Sequence, residues 1–176
     1  MKIGLCGTVS VGKTTLVKEL SKLSQFKDYS IAVERSKYLQ SLGIPLNYDT
    51  TIEGQTIFLA ERVSELMKDN IITDRTIIDV MAFTQNAKSI PYQDKDKFVD
   101  YAKEFIREYD YIFYISPEGL PIEDNGVRET DEHYRDVIDF TITSFIRKYA
   151  YMMNNIETIK GSTEERVEQI LKFTNL

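Results

Sequence analysis

The chain has 176 residues, 42% of them hydrophobic and 28% charged, with a net charge of −6. That is enough for one hydrophobic core and short for two, and with no repeat, low-complexity run or Pro/Gly/Ser-rich linker it reads as one domain over residues 1–176. The acidic balance argues against broad non-specific nucleic-acid binding, the single Cys6 rules out an internal disulfide framework, and no apolar stretch approaches the ~18 residues that span a bilayer.

The first apolar run, Met1 to Cys6, reads as a buried strand, and the expected location is cytoplasmic because a Gly-rich loop interrupts the run at once. That loop, Gly7-Thr8-Val9-Ser10-Val11-Gly12-Lys13-Thr14, fits the phosphate-binding pattern G-x-x-x-x-G-K-[ST]. Thr14 to Ser24 follows with Leu16, Val17, Leu20 and Leu23 at the spacing of one helical face. A strand before and a helix after are the context the motif needs. Its glycines let successive N–H groups turn inward around a phosphate, and the helix N-terminus adds unpaired donors and a positive dipole end. Lys13 is placed to reach the β- and γ-phosphates, and the Thr14 hydroxyl to bind Mg²⁺. Thr15 completes the donor-holding loop.

Tyr29 to Val33 reads as a short strand ending in Glu34-Arg35-Ser36, followed by a weakly helical stretch to Leu42. Gly43-Ile44-Pro45 breaks the chain. Thr50 to Lys68 places Phe58, Leu59, Val63, Leu66 and Met67 on one helical stripe. Asn70 to Thr73 is the third strand, ending in Asp74-Arg75, with a helix from Ile77 to Asn86 and another from Asp94 to Glu108. Tyr109 to Ile115 is β-branched and aromatic throughout, a core strand rather than a stacking platform. After the polar segment comes a helix over 131–153, then a last strand, Asn155 to Ile159. Gly161-Ser162 then leads into a final helix. The alternation predicts an α/β fold, a five-stranded parallel sheet with helices on both faces, and a site at the C-terminal strand ends.

Those ends carry the candidate chemistry. Asp74 closes an apolar strand where a phosphate-loop enzyme needs a carboxylate for Mg²⁺ or for the acceptor. Glu34 closes the second strand in the same way and could take a proton from an attacking hydroxyl, with Arg35 holding substrate phosphate or carboxylate. Arg128 and Arg135 stand at the end of the polar segment Ser116 to Thr130 and of the lid segment 116–135; if it closes, either could stabilise charge on the transferring phosphoryl group. His133, the only histidine, reads as a helix-surface residue.

The whole pattern resembles small-molecule kinases of the phosphate-loop class, in particular the nicotinamide-riboside-kinase-like (NadR-type AAA) group, related in layout to deoxynucleoside and thymidylate kinases. Ala32-Val33-Glu34-Arg35, Ile72-Thr73-Asp74 with the thymidylate-kinase-like Arg75, Tyr109-Asp110-Tyr111 and Asp124-Asn125-Gly126-Val127-Arg128 match its motifs. The resemblance implies a three-layer P-loop NTPase fold with a helical lid, ATP and Mg²⁺ as cofactors, and Gly161-Ser162 with Glu165-Arg166 beside the adenine. It also implies Arg75 among the substrate-binding residues and Leu42 to Gln55 shaping the acceptor pocket. The expected partners are a nucleotide donor and a nucleoside or nucleotide acceptor, with no membrane; a homodimer is compatible with this. Two rivals stand beside it: a kinase acting on a hydroxymethylated pyrimidine in phage DNA, which the acidic charge disfavours, and a nucleotide-dependent ATPase or switch without an acceptor. A GTPase would carry N-K-x-D, which is absent.

Overall fold

Short apolar strands that alternate with helices favour parallel pairing, because a helical crossover returns the chain to the same end of the sheet. The computed structural model of the chain describes residues 1–122 and 131–176. In it β1 (Lys2–Cys6), β2 (Ser30–Ala32), β3 (Ile71–Asp74), β4 (Tyr111–Ile115) and β5 (Ile156–Ile159) form one parallel sheet, ordered β2-β3-β1-β4-β5. β1 is therefore central. The chain leaves it first toward β2 and β3 and later toward β4 and β5, so its C-terminal end lies at the reversal of strand order, where ligands of such sheets bind.

Alternation along the strands divides the core. On one face Ile3 and Leu5 of β1, Ile72, Phe113 and Ile115 bury against Leu16, Val17 and Leu20 of α1 (Lys13–Leu20) and Ile170 of α7 (Thr163–Thr174). On the other, Cys6, Ile112 and Tyr114 meet α3 (Ile52–Glu65), α4 (Ile77–Asn86), α5 (Tyr92–Ala102) and α6 (Glu132–Lys148). The short α2 (Ser36–Ser41) follows β2. These are the three layers the sequence implies. The strand expected over 109–115 starts at Tyr111; Phe113 within it is fully buried, as a core strand requires, Tyr109 is buried just before it, and His133 is exposed at the start of α6.

The helices are shorter than their hydrophobic stripes suggest. α1 stops at Leu20, and the following 3-10 turn at Ser24–Phe26 buries Phe26. α3 begins at Ile52, where the Thr51 side chain accepts from the Gly54 N–H, and ends before Met67, which is 78% exposed rather than in the stripe. The helix expected over 94–108 becomes α5 and a tighter 3-10 stretch, Lys103–Glu108; Phe98, Ala102 and Ile106 of the expected stripe are buried, while Tyr101, still within α5, is 64% exposed. The helix expected over 131–153 ends at Lys148, with a 3-10 turn at Ala150–Met152.

Gly4 shows how tightly α4 seats on β1. A Cβ there would stand 2.6 Å from Thr76 Cγ2 and 2.7 Å from the Tyr109 ring. Both neighbours are buried, so Gly4→Ala is expected to lower unfolding stability by about 1–3 kcal/mol or more, read from urea denaturation.

Candidate active site

The loop after β1 is built from backbone conformations that few residues adopt. Gly7 has φ of +152° and Gly12 +83°, and Ser10 at +60° takes the left-handed region without being glycine. α1 then begins with no side-chain cap and no acid in its first turn. Its positive end is thus not neutralised from within the helix, which suits an anion.

Lys13 is 7% exposed, and its ammonium donates to the Gly7 and Thr8 carbonyls at 2.5 and 2.7 Å. Burial pushes its pKa below the ordinary lysine value and Arg75 works the same way, while Asp79 and Asp74 oppose them. A polyphosphate beside it would favour the charged form further.

β1 and β3 run side by side with Leu5 opposite Asp74. That register brings the end of β3 to the start of α1, where the Thr14 hydroxyl donates to the Asp74 carboxylate at 2.5 Å. Asp74 is 1% exposed. Two hard oxygen donors in contact at the phosphate loop are the chemistry Mg²⁺ selects, so these residues fit that ion. Next in sequence, Arg75 holds φ of +103° while its N–H bonds the Leu5 carbonyl at 3.1 Å. Its guanidinium lies 3.9 Å from Glu34 and 4.7 Å over the Phe83 ring. Burial works against that charge, but Glu34, Asp79 and Asp74 outweigh it and hold it above the ordinary arginine value.

Glu34 accepts from the Ser36 N–H at 2.7 Å, which fixes the carboxylate at the entrance to α2. Arg35 pairs with Glu61 at 3.2 Å and lies 4.3 Å over the Tyr38 ring. Glu34, Asp74 and Arg75 line a small cradle of about 20 Å³ with Val9 to Thr14. A larger cavity of about 590 Å³ opens beside it, walled by Thr14, Thr15, Glu34, Arg35, Arg75 and side chains of α2, α3 and α4. Leu46, Asn47 and Gln55, from the segment Leu42 to Gln55, belong to its lining.

Other expected residues sit elsewhere or do other work. Arg135 donates to the Leu120 carbonyl at 2.7 Å, while its own carbonyl accepts from the Thr8 hydroxyl at 3.2 Å; it ties the polar segment to the phosphate loop. Arg128 lies outside the described residues. Gly161 borders a separate groove with Lys160 and Glu165, and the Ser162 side chain caps α7 by accepting from the Glu165 N–H. The link from that region to the loop is Arg166, buried, donating to the Val11 carbonyl at 2.8 Å.

Sequence reasoning missed Asp79 as a support of the loop. Fully buried on α4, it accepts from the Gly7 N–H at 3.1 Å with one oxygen and from the Thr76 N–H and hydroxyl, each at 2.8 Å, with the other. The signal was present as Thr76-Ile77-Ile78-Asp79, a capping box at the head of an apolar helix. Arg62, 3% exposed, was also missed; it donates to the Asp74 carbonyl at 3.2 Å and to Glu65 at 2.7 Å. Phe58 and Phe83 line the cavity as well, the first read in sequence only as helical packing and the second not at all. Cys6 is a packed apolar side chain, for burial and the Asp79 charge push its thiol well up.

Asp139 lies half-buried on α6, accepting from the Tyr114 hydroxyl at 2.8 Å. Burial raises its pKa, against the Tyr114 bond and the Arg135 and Lys13 charges. Its folded pKa is above the unfolded one, so the native state binds the extra proton. Stability is then lost as pH rises from the ordinary aspartate range, about 3.9, through the raised value. Asp139→Asn should remove this component: the stability of the variant relative to the parent should grow between pH 4 and pH 7 in urea titrations.

Residues 2–166 match the AAA_28 family, an AAA domain. No curated protein matches the sequence. Among solved structures, deoxyadenosine kinase from M. mycoides with bound dATP has a TM-score of 0.68 at 21% identity, over 100% of both chains. With dCMP and dCDP bound, the same enzyme gives 0.70 at 21%, over 99% of this chain and 98% of that one. The NadR protein in complex with NR gives 0.76 at 15%, over 99% of this chain and 51% of that one. These likenesses are ones of fold, and they confirm the three-layer α/β arrangement around a parallel sheet. With the family match running through almost all of the elements that build the site, the chain belongs to the AAA_28 family of AAA domains.

Proposed function

We propose that the chain is an ATP- and Mg²⁺-dependent phosphotransferase acting on a nucleoside, a nucleotide or a related small molecule. The observation that carries this is the Thr14 to Asp74 hydrogen bond, which joins the phosphate loop to a strand-end carboxylate beside a cavity that Glu34 also enters. The cavity favours this reading over a nucleotide-binding module without an acceptor, since it offers room for a second small molecule beside the loop. At about 590 Å³ it falls within the range of small-molecule sites.

In this reading residues 7–15 hold the donor, and Lys13 sets its charge against the β- and γ-phosphates. Thr14 and Asp74 would hold Mg²⁺, which when bound draws off charge from the phosphate oxygens. Glu34, within the cavity and close to Arg75, is the base for the acceptor hydroxyl. Asp79 and Arg62 act indirectly, one shaping the loop and the other fixing the Asp74 backbone. For Arg128, outside the described residues, the proposal rests on sequence alone: it would stabilise charge on the transferring phosphoryl group. Since such catalysis is mostly positioning and electrostatics, charge at Lys13 matters more than any acid–base step.

Lys13→Ala is expected to cut the rate on the order of 10³-fold or more while leaving the fold intact by circular dichroism. Incubation with γ-labelled ATP, Mg²⁺ and a panel of nucleosides, monophosphates and DNA should put label on one acceptor class. Slow ATP hydrolysis with no labelled acceptor would favour the switch reading instead.

A further inference from the structure

Charge is unevenly placed along the cavity. The cradle at the phosphate loop is balanced: Lys13 and Arg75 face Glu34 and Asp74. The larger cavity adds Lys18, Arg35 and Lys37 to its wall and no further carboxylate. Glu61 meets Arg35, but Lys18 and Lys37 are exposed and have no ion-pair partner among the described residues. In a chain of net charge −6 this rim is locally cationic.

Ordinary helix electrostatics accounts for only one of the two lysines. Lys18 stands in the last turn of α1, where a cation is favoured. Lys37 stands in the first turn of α2, the end that disfavours a cation. An anionic occupant of the cavity gives both a common purpose. At the base of the site the Lys13 and Arg75 charges are already met by Glu34 and Asp74, so the unmatched positive charge lies at the rim. A neutral hydroxyl fits beside Glu34, and Phe58, Phe83 and Gln55 offer apolar faces and an amide between.

Building on the phosphotransferase reading, we propose that the acceptor already carries a phosphate ester, seated against Lys18 and Lys37, and that its new phosphate goes onto a hydroxyl beside Glu34. The hydroxyl oxygen bonds to the γ-phosphorus, the bond from that phosphorus to its bridging oxygen breaks, ADP leaves with the electron pair, and the proton passes to Glu34. The product gains a phosphomonoester and not a phosphoanhydride. A free nucleotide and a phosphodiester strand share this chemistry.

The test fills the donor site with Mg²⁺ and a non-hydrolysable ATP analogue, then titrates nucleosides, their 5′-monophosphates and a short single-stranded oligonucleotide by calorimetry. Phosphate-bearing ligands should bind about tenfold tighter than neutral nucleosides at low salt, and the double variant Lys18→Gln, Lys37→Gln should reduce that preference to about twofold or less. Preference for the mononucleotide assigns a free nucleotide, and preference for the oligonucleotide assigns a strand; both carry the proposal. Equal affinity for nucleoside and monophosphate, or a preference the double variant leaves untouched, overturns it. So does a phosphoanhydride product by ³¹P NMR. If no acceptor is phosphorylated, the phosphotransferase reading fails on its own, and the titration still decides the anchor.

Discussion

The phosphate loop holds its shape because one buried carboxylate serves two elements at once. Asp79 takes the Gly7 N–H with one oxygen and the head of α4 with the other, so the turn after β1 and the helix after β3 cannot move independently. Lys13 completes the constraint by bonding the Gly7 and Thr8 carbonyls. A buried carboxylate is stable only when its lone pairs are met, and here the partners are two backbone N–H groups and a hydroxyl. The stabilisation of Asp79 and the preorganisation of the loop are therefore the same set of bonds.

From that constraint the rest of the site follows by topology. β1 lies between β3 and β4, so whatever ends β3 arrives next to the loop. Leu5 opposite Asp74 sets the register, and a slip of one residue would turn Asp74 to the other face and take it away from Thr14. Arg62 adds a second hold on the same strand end through the Asp74 carbonyl. α7 reaches the loop from the opposite side of the sheet through Arg166 and the Val11 carbonyl. Three layers of the fold thus converge on eight residues of turn.

The motif, the strand–helix alternation and the carboxylates, Asp74 ending β3 and Glu34 two residues past the end of β2, were all legible in the sequence, because each is a local pattern with a local physical cause. Glu34, Asp74 and Arg75 do meet at the loop, and Arg35 lies along the adjoining cavity. What escaped was whatever depends on packing between distant elements. Asp79 looks like a helix cap until Gly7 is seen 72 positions away. Arg62 looks like a surface cation on a helix until it is found 3% exposed against β3. Lys18 and Lys37 look like solvated helix residues until α1 and α2 are placed on one cavity. Arg135 looked like a clamp for a transferred phosphoryl group, yet its guanidinium is engaged with the Leu120 carbonyl, a partner no spacing rule supplies. Helix ends failed for a related reason, since the final turns at Lys103–Glu108 and Ala150–Met152 tighten to 3-10 geometry that a 3.6-residue stripe does not foresee.

The central claim is that the phosphate loop and the end of β3 form one site for a nucleotide and its divalent cation. Calorimetric binding of a non-hydrolysable ATP analogue, with and without Mg²⁺, tests it most directly in the parent chain and in Asp74→Asn. The account predicts that Mg²⁺ tightens binding to the parent by at least about tenfold and does little for Asp74→Asn, since the carboxylate that meets Thr14 is gone. An unchanged Mg²⁺ effect in Asp74→Asn would contradict it.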